Sequence, residues 1–289
     1  MGTRMAKNKG FLFINKPKDW TSFDVVNKIK HLLKFKKVGH LGTLDPMATG
    51  VLIVTIGKAT KLFDFLQQKK KTYLAKFEFG YSTNTLDSTG SVTNRVDTIP
   101  TKEEIENILP KFVGEINQIP PKFSAKSVDG KRAYDLARQN VDFELRPKLV
   151  NIYDIKLLGY ENNVATMEIM CGSGTYIRAI GRDIANELKS CATMTELIRT
   201  KIGKVSIDNC MAINELDEDN IKNFIVPIDK FLDCPILNLS IQNGQKLLNG
   251  QVVSVKIDDG IYKYNLIDDT VALVKVQAFR AKMMIYLGD

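Results

Sequence analysis

The chain has 289 residues, 44% apolar and 26% charged, which is enough for one large folded body with a real core and a second, smaller one. Its 41 Lys and Arg against 33 Asp and Glu give a net charge of +8, which favours a polyanionic partner, although many soluble proteins are basic without binding nucleic acid. Cys171, Cys191, Cys210 and Cys234, with His31 and His40, lack zinc-ligand spacing, and no run of about 18 apolar residues offers a membrane span.

The opening MGTRMAKNKG is polar and leads into no long apolar segment. It reads as a reduced, cytoplasmic chain without a signal peptide, with Met5 an alternative start to Met1. FLFIN (11–15) is a short apolar strand ending at Lys16–Pro17. Thr21 and Asp24 fit a capping box, and the helix they open runs to about Phe35, with Val25, Ile29 and Leu32 on one face. Lys28, Lys30 and Lys34 form its other face, either solvated or in contact with a polyanion.

The next segment, GHLGTLDPMATG (39–50), holds one aspartate in a rigid frame. Gly39, Gly42 and Gly50 allow backbone conformations that side chains forbid, while Pro46 fixes its own φ and pushes Asp45 toward an extended conformation. An apolar run, VLIVTIG, follows as a buried strand, and Lys34, Lys36 and Lys37 precede the loop. An Asp-Pro pair alone is a turn former. The string is neither a phosphate loop nor a dinucleotide fingerprint.

From Tyr73 the chain alternates, with Tyr73, Ala75, Phe77 and Phe79 on one side and Leu74, Lys76 and Glu78 on the other. On pattern alone Tyr73 is the first member of an apolar strand face. Residues 81–98 read as a polar loop. Thr101 with Glu104 opens a helix that extends to Pro110. Residues 118–148 are a long basic excursion containing Pro120, Pro121 and Gly130, with a short helix near 133–139. Ala165, Met167, Ile169 and Cys171 mark another strand. Gly172 and Gly174 then turn the chain into a helix from Thr175 to about Lys189, its buried side marked by Ile177, Ile180, Ile184 and Leu188. Arg178 falls in the first turn, where the helix dipole disfavours a cation, so a carboxylate partner is expected, and an Asp45–Arg178 pair is physically reasonable. Pro227 and Pro235 bracket a boundary. Beyond it, NLSIQNGQKLLNGQ gives a short helix, and strands near 252–257, 261–267, 271–276 and 283–287 suit a small β-barrel.

Several of these strings together resemble one family. HLGTLDPMATG, GFLFINKPKDWTS (10–22), KKTYLAKFEFG (70–80), QIPPKFSAKSVDGKRAYDLAR (118–138) and CGSGTYIRAIGRDI (171–184) occur in the order found in bacterial tRNA pseudouridine synthases of the TruB type. The resemblance implies an α+β fold, with a mixed, mostly antiparallel sheet flanked by helices and a small C-terminal β-barrel of PUA type. It implies a catalytic unit over 10–233, with 118–148 as an RNA-contacting insertion, and an RNA-binding unit over 236–289. The implied reaction is conversion of uridine 55 in the tRNA T-loop to pseudouridine on a flipped-out nucleotide, by a monomer without cofactor or metal. The implied partner is the T-arm, with the acceptor end reached by the C-terminal unit. Asp45 is then the catalytic carboxylate, which adds to the base, adds to C1′, or abstracts the 2′ proton. Tyr73, Tyr176 and Leu197 line the uracil pocket, Arg178 pairs with Asp45, and His40 contacts the flipped nucleotide or fills its vacated place. Three other readings compete: a non-catalytic RNA-remodelling protein, a synthase guided by a small RNA, and a glycoside hydrolase. The last needs a second positioned carboxylate, and no comparable acidic motif is present in the sequence.

Overall fold

The computed structural model describes residues 9–288 apart from 125, 129, 140, 267 and 268. The Met1 or Met5 start and the final residue of the expected 261–267 strand lie outside the described residues. The chain opens with β1 (Gly10–Lys16), α1 (Ser22–Leu33), β2 (Val38–Leu41) and β3 (Thr49–Ile56). After α2 (Phe63–Gln67) come β4 (Lys71–Phe79), the hairpin β5 (Tyr81–Thr83) and β6 (Val92–Arg95), then α3 (Lys102–Ile108) and β7 (Gly114–Gln118). The insertion carries β8 (Ser127–Val128), β9 (Lys131–Arg132) and α4 (Ala133–Arg138). The main body continues with β10 (Lys148–Glu161), β11 (Val164–Cys171), α5 (Ile177–Glu187), β12 (Ala192–Ile202), β13 (Val205–Ser206), β14 (Met211–Ala212) and α6 (Ile228–Phe231). The C-terminal part contains α7 (Ile241–Leu248), β15 (Val253–Ser254), β16 (Gly260–Leu266), β17 (Asp269–Gln277) and β18 (Arg280–Tyr286).

The main sheet runs β14-β1-β3-β12-β4-β11-β10-β7, with β2 on β3 and β13 on β12. Only the β1–β14 and β3–β12 pairings are parallel, so the sheet is mixed and mostly antiparallel, as expected. The C-terminal strands form a separate antiparallel sheet in the order β15-β18-β17-β16. Both expected capping boxes are present, at Thr21–Asp24 and Thr101–Glu104. Val25, Ile29 and Leu32 of α1 bury their face against Leu12, Ile14 and Leu52 of the sheet. Tyr73, Ala75, Phe77 and Phe79 of β4 pack with Ile180 and Ile184 of α5 on the other face.

Three expectations need correction. Residues 81–98 hold a hairpin, β5 paired with β6, and its turn enters the site described below. Gly39 has ordinary backbone geometry; the positive φ values are those of Gly42 (79°) and Gly50 (102°). Gly39 instead gives room, since a Cβ there would stand 3.2 Å from Thr55 Oγ1. Lys34 ion-pairs with Glu218 at 2.6 Å, so the cationic face of α1 is partly neutralised.

The two sheets share apolar packing. Leu273 and Leu287 of the C-terminal part join Phe11, Leu62, Leu66, Ile228 and Phe231 in one cluster. Lys58 and Lys61 donate to the carbonyls of Gly288 and Tyr286, and Lys9 pairs with Asp269. Among the described residues no helix is long and apolar enough to cross a membrane.

Candidate active site

The Asp45 loop joins β2 to β3, and its backbone polar groups are tied on several sides. Ala48 N donates to Asp45 O at 3.0 Å, closing a turn with Pro46 at its second position. Leu44 N donates to Ser22 Oγ at 2.9 Å. Pro46 O accepts from Asp19 N at 2.8 Å and from Lys16 Nζ at 3.1 Å. Lys16 is fully buried and also donates to Pro17 O and Trp20 O. Burial lowers its amine to about 8, with the Asp45 charge opposing.

Behind the loop stands Arg199, 1% exposed, on β12. It donates to Val51 O at 2.7 Å and Gly42 O at 3.0 Å, so it braces both ends of the segment. The parallel pairing sets Arg199 opposite Gly50, where a Cβ would come within 2.3 Å of Arg199 O. Only glycine fits there, both for its φ and for this approach.

Arg178, in the first turn of α5, makes the expected pair. Nε lies 2.9 Å from Asp45 Oδ2, and Nη2 donates to Asp45 Oδ1 at 3.0 Å, a two-pronged fork. Nη1 donates to Thr85 O at 2.8 Å and lies 3.3 Å from Asp87 Oδ2, while Nη2 also donates to Phe123 O at 3.1 Å. The guanidinium thus makes three hydrogen bonds and two further ion-pair contacts. These come from three separate segments: the aspartate loop, the β5–β6 turn and the start of the insertion. Asp87 is itself held, its Oδ1 accepting from Thr85 Oγ1 at 2.8 Å, from Thr89 N at 3.0 Å and from Thr89 Oγ1.

Burial raises the Asp45 pKa; Arg178 opposes this, and Asp87 adds to the rise. The Asp45 side chain is still 32% open. The two-pronged guanidinium favours the charged form against that rise, and the open portion leaves the carboxylate reachable.

Tyr73 is 7% exposed and pairs in register with Arg199 of β12. Burial raises its hydroxyl pKa, with Arg199 opposing by charge and hydrogen bond. Leu197, 5% exposed, shares an apolar cluster with Leu44, Met47, Ala48 and Tyr73. Tyr176 is the N-cap of α5, two residues from Arg178, and is half-buried. His40, on β2, is half-buried; burial and the Arg199 charge lower its pKa. The structure thus joins Asp45 directly to Arg178 and gathers Tyr73 and Leu197 around the loop, with Tyr176 and His40 on the elements that flank it.

Among the described residues, the buried side-chain polar atoms without a hydrogen bond are His40 Nδ1, Ser124 Oγ and Thr175 Oγ1. All three belong to segments that build this site. Sequence reasoning missed Asp87, Arg199, Gln118 and the buried state of Lys16. The repeated Thr-x-Asp-x-Thr of residues 85–89 was the one local hint of a held carboxylate. No group of three or more His, Cys, Asp or Glu suited to a metal ion occurs among the described residues.

Residues 30–177 match the family model described as TruB family pseudouridylate synthase (N terminal domain). A tRNA pseudouridine synthase B of Clostridium kluyveri is 41% identical over 255 residues, 88% of each chain. One from Mycoplasma mobile is 41% identical over 257 residues, 88% of this chain and 86% of its own. Among solved structures, a Cbf5–Nop10–Gar1 complex superposes with a TM-score of 0.74 at 23% identity, covering 99% of this chain and 87% of that one. An H/ACA ribonucleoprotein bound to a substrate RNA containing 2′-deoxyuridine gives 0.72 at 22% identity, covering 97% and 85%. These two likenesses concern the fold, including the C-terminal sheet.

Proposed function

Because the chain belongs to the TruB family of pseudouridylate synthases, we propose that it isomerises uridine 55 in the T-loop of tRNA to pseudouridine, with Asp45 as the reacting carboxylate. The observation that carries this reading is the Asp45–Arg178 fork, a partly open carboxylate aimed by a guanidinium that three other residues, Thr85, Asp87 and Phe123, also hold. A protein that only binds RNA has no use for a carboxylate held so firmly toward a polyanion.

The reaction breaks the N1–C1′ bond, turns the uracil and joins C1′ to C5. A proton leaves C5 and one is gained at N1, with no change in oxidation state. One carboxylate is required, which adds at C6, adds at C1′ or removes the 2′ proton. The target uridine leaves its stack at a cost of a few kcal/mol, and stacking on an aromatic such as Tyr73 or Tyr176 returns about 1–3 kcal/mol. His40 contacts the flipped nucleotide or occupies its vacated place, and Leu197 closes the apolar side of the pocket.

In the same reading, residues 10–233 are the catalytic unit and 118–148 grip the T-arm. Residues 236–289 reach toward the acceptor end, and the protein works as a monomer.

The test is tritium release from a tRNA transcript labelled at uridine C5, with the product mapped by position. Wild-type protein should convert position 55, and Asp45→Asn should lose about 10²–10⁴-fold or more in turnover while keeping RNA affinity. Residual Asp45→Asn activity within tenfold of wild type overturns the role of the carboxylate. Conversion confined to another uridine overturns the specificity.

A further inference from the structure

The insertion leaves the main sheet at Gln118, the last residue of β7, and its first six residues lie along α5. Gln118 is 1% exposed. Its Oε1 accepts from Tyr176 N at 2.8 Å and its Nε2 donates to Tyr176 O at 3.2 Å, so one side chain pins the backbone of the α5 N-cap from both sides. One residue on, Ile119 O accepts from Arg182 Nη2 at 2.8 Å. Arg182 lies one turn beyond Arg178, on the same helix face. Next come Pro120 and Pro121, which restrict their own φ and that of the residue before each, so the segment is stiff. It ends at Phe123, whose carbonyl accepts from Arg178 Nη2 at 3.1 Å. Beyond that point the body of the insertion hangs on the same strand of chain, through Tyr134 N to Ser124 O at 3.1 Å and Ala133 N to Lys126 O at 2.8 Å.

We propose that residues 118–123 form a positioning strut, in which Gln118 and Arg182 fix the insertion to α5 so that the Phe123 carbonyl holds the Arg178 guanidinium on Asp45. The fork has five donors, and the insertion supplies one of its acceptors. A stiff segment held at Gln118 and Ile119 keeps that acceptor in place. A strut released at either point lets Phe123 shift, and Arg178 turns with it. Gln118 and Arg182 touch neither Asp45 nor substrate in this scheme; both act through Arg178, and because Gln118 also holds the Tyr176 backbone, Arg182→Met is the deciding variant. The inference rests on Asp45 being the reacting group.

The experiment compares Gln118→Met, Arg182→Met and the double variant with wild type and Asp45→Asn. It uses the full chain, single-turnover tritium release at saturating protein, and RNA dissociation constants by filter binding. Methionine at 118 keeps the length and removes both hydrogen bonds. Arg182 is partly exposed but also pairs with Asp183 Oδ1 at 2.7 Å, so Asp183→Asn is measured beside it, and the strut requires that Asp183→Asn keep turnover where Arg182→Met loses it. Each single variant should lose about tenfold to 100-fold in turnover, the scale of an ångström-sized misplacement at a reacting group, with RNA affinity within threefold of wild type. The double variant should lose less than the product of the two, because both release the same segment. Turnover within twofold of wild type in folded Arg182→Met, or full multiplicative losses in the double variant, overturns the strut. So does a loss that appears wholly in RNA affinity. An active Asp45→Asn overturns the underlying reading instead and is told apart by that result alone.

Discussion

Asp87 offers a sharp test of how the site is held, because its two oxygens do different work. Oδ1 receives three donors, Thr85 Oγ1, Thr89 N and Thr89 Oγ1, while Oδ2 faces Arg178 Nη1 at 3.3 Å. In Asp87→Asn the amide oxygen is the only atom that can satisfy those three donors, so it takes the place of Oδ1. The amide N–H₂ is then turned onto Nη1, donor against donor. The side chain is 6% exposed, so water cannot relieve this. The gross attraction lost is about 5 kcal/mol at 3.3 Å and an effective dielectric of about 20. The net cost is smaller, because Arg178 keeps Asp45, Thr85 O and Phe123 O; about 2–4 kcal/mol is expected, near the low end for a broken buried pair. That corresponds to a fall in Tm of roughly 3–7 °C for a chain of this size. Turnover should fall about tenfold to 100-fold as the fork tilts. Asp87→Ala introduces no donor beside Nη1 but leaves Thr85 Oγ1, Thr89 N and Thr89 Oγ1 without their acceptor, so it releases the turn as well as the pair. Both remove a charge that raises the Asp45 pKa, so the acid limb of kcat/KM should move to lower pH. Thermal melts and tritium release on both variants test this directly. If either keeps turnover within twofold of wild type, the account of Asp87 is wrong.

Three more outcomes follow from the same geometry. Tyr73→Phe keeps the ring and removes the hydroxyl; a proton-transfer role predicts turnover lower by about 10²-fold or more at unchanged RNA affinity, and Tyr73→Ala should lose about 1–3 kcal/mol of binding as well, whereas normal kinetics in both return Tyr73 to a packed strand residue. Lys16 is held at about 8 when folded and at 10.5 when unfolded, so between these pH values the unfolded chain carries the extra proton and folded-state stability rises with pH, by at most about 1.4 kcal/mol per unit. Lys71, also lowered to about 8, adds the same sign, and Cys171, raised to about 11, the opposite one; denaturant titrations of Lys16→Met against wild type isolate the Lys16 share, and an unchanged slope across pH 8–10.5 refutes it. Because Leu273 and Leu287 are buried with Phe11 and Phe231, the two sheets should unfold in one urea transition followed by any probe, and deleting 236–289 should leave an aggregating chain; an early transition confined to the C-terminal strands would show separable units.

The parts of the fold that were legible in the sequence are those set by local chemistry. Thr21 and Asp24, or Thr101 and Glu104, satisfy each other's backbone within four residues, so the pattern and the structure coincide. Strand β4 alternates because one face meets α5 and the other is only half covered. Strands β10 and β12 were not legible, for two physical reasons. Ala192, Thr193 and Met194 are all buried, so period two has nothing to report. Irregularities between Met194 and Glu196 and between Arg199 and Lys201 then shift the parity of what remains, and β10 is broken in the same way near Asp154 and Gly159.

The site divides along the same line. Asp45 announces itself because the residues that constrain it are its neighbours, Gly42, Pro46 and Gly50, and Arg178 because a cation in the first turn of a helix needs a partner from elsewhere. Asp87 carries only the weak signal of its flanking threonines, which says that it is held and not by whom. It lies in a polar stretch of Ser, Thr and Asn where an exposed acid is ordinary, and it is buried only because Arg178, 91 positions later, arrives opposite it (178 − 87). Lys16 and Arg199 are hidden for the related reason that their acceptors are backbone carbonyls, which every residue has and no sequence pattern marks. What the sequence can specify at a distance is therefore a need, such as a cation lacking its carboxylate. What it leaves unstated is which oxygen atoms the fold will bring to meet it. The five acceptors around Arg178 come from residues 45, 85, 87 and 123, and none of these four has a contact with another that local periodicity could reveal, apart from the turn shared by 85 and 87.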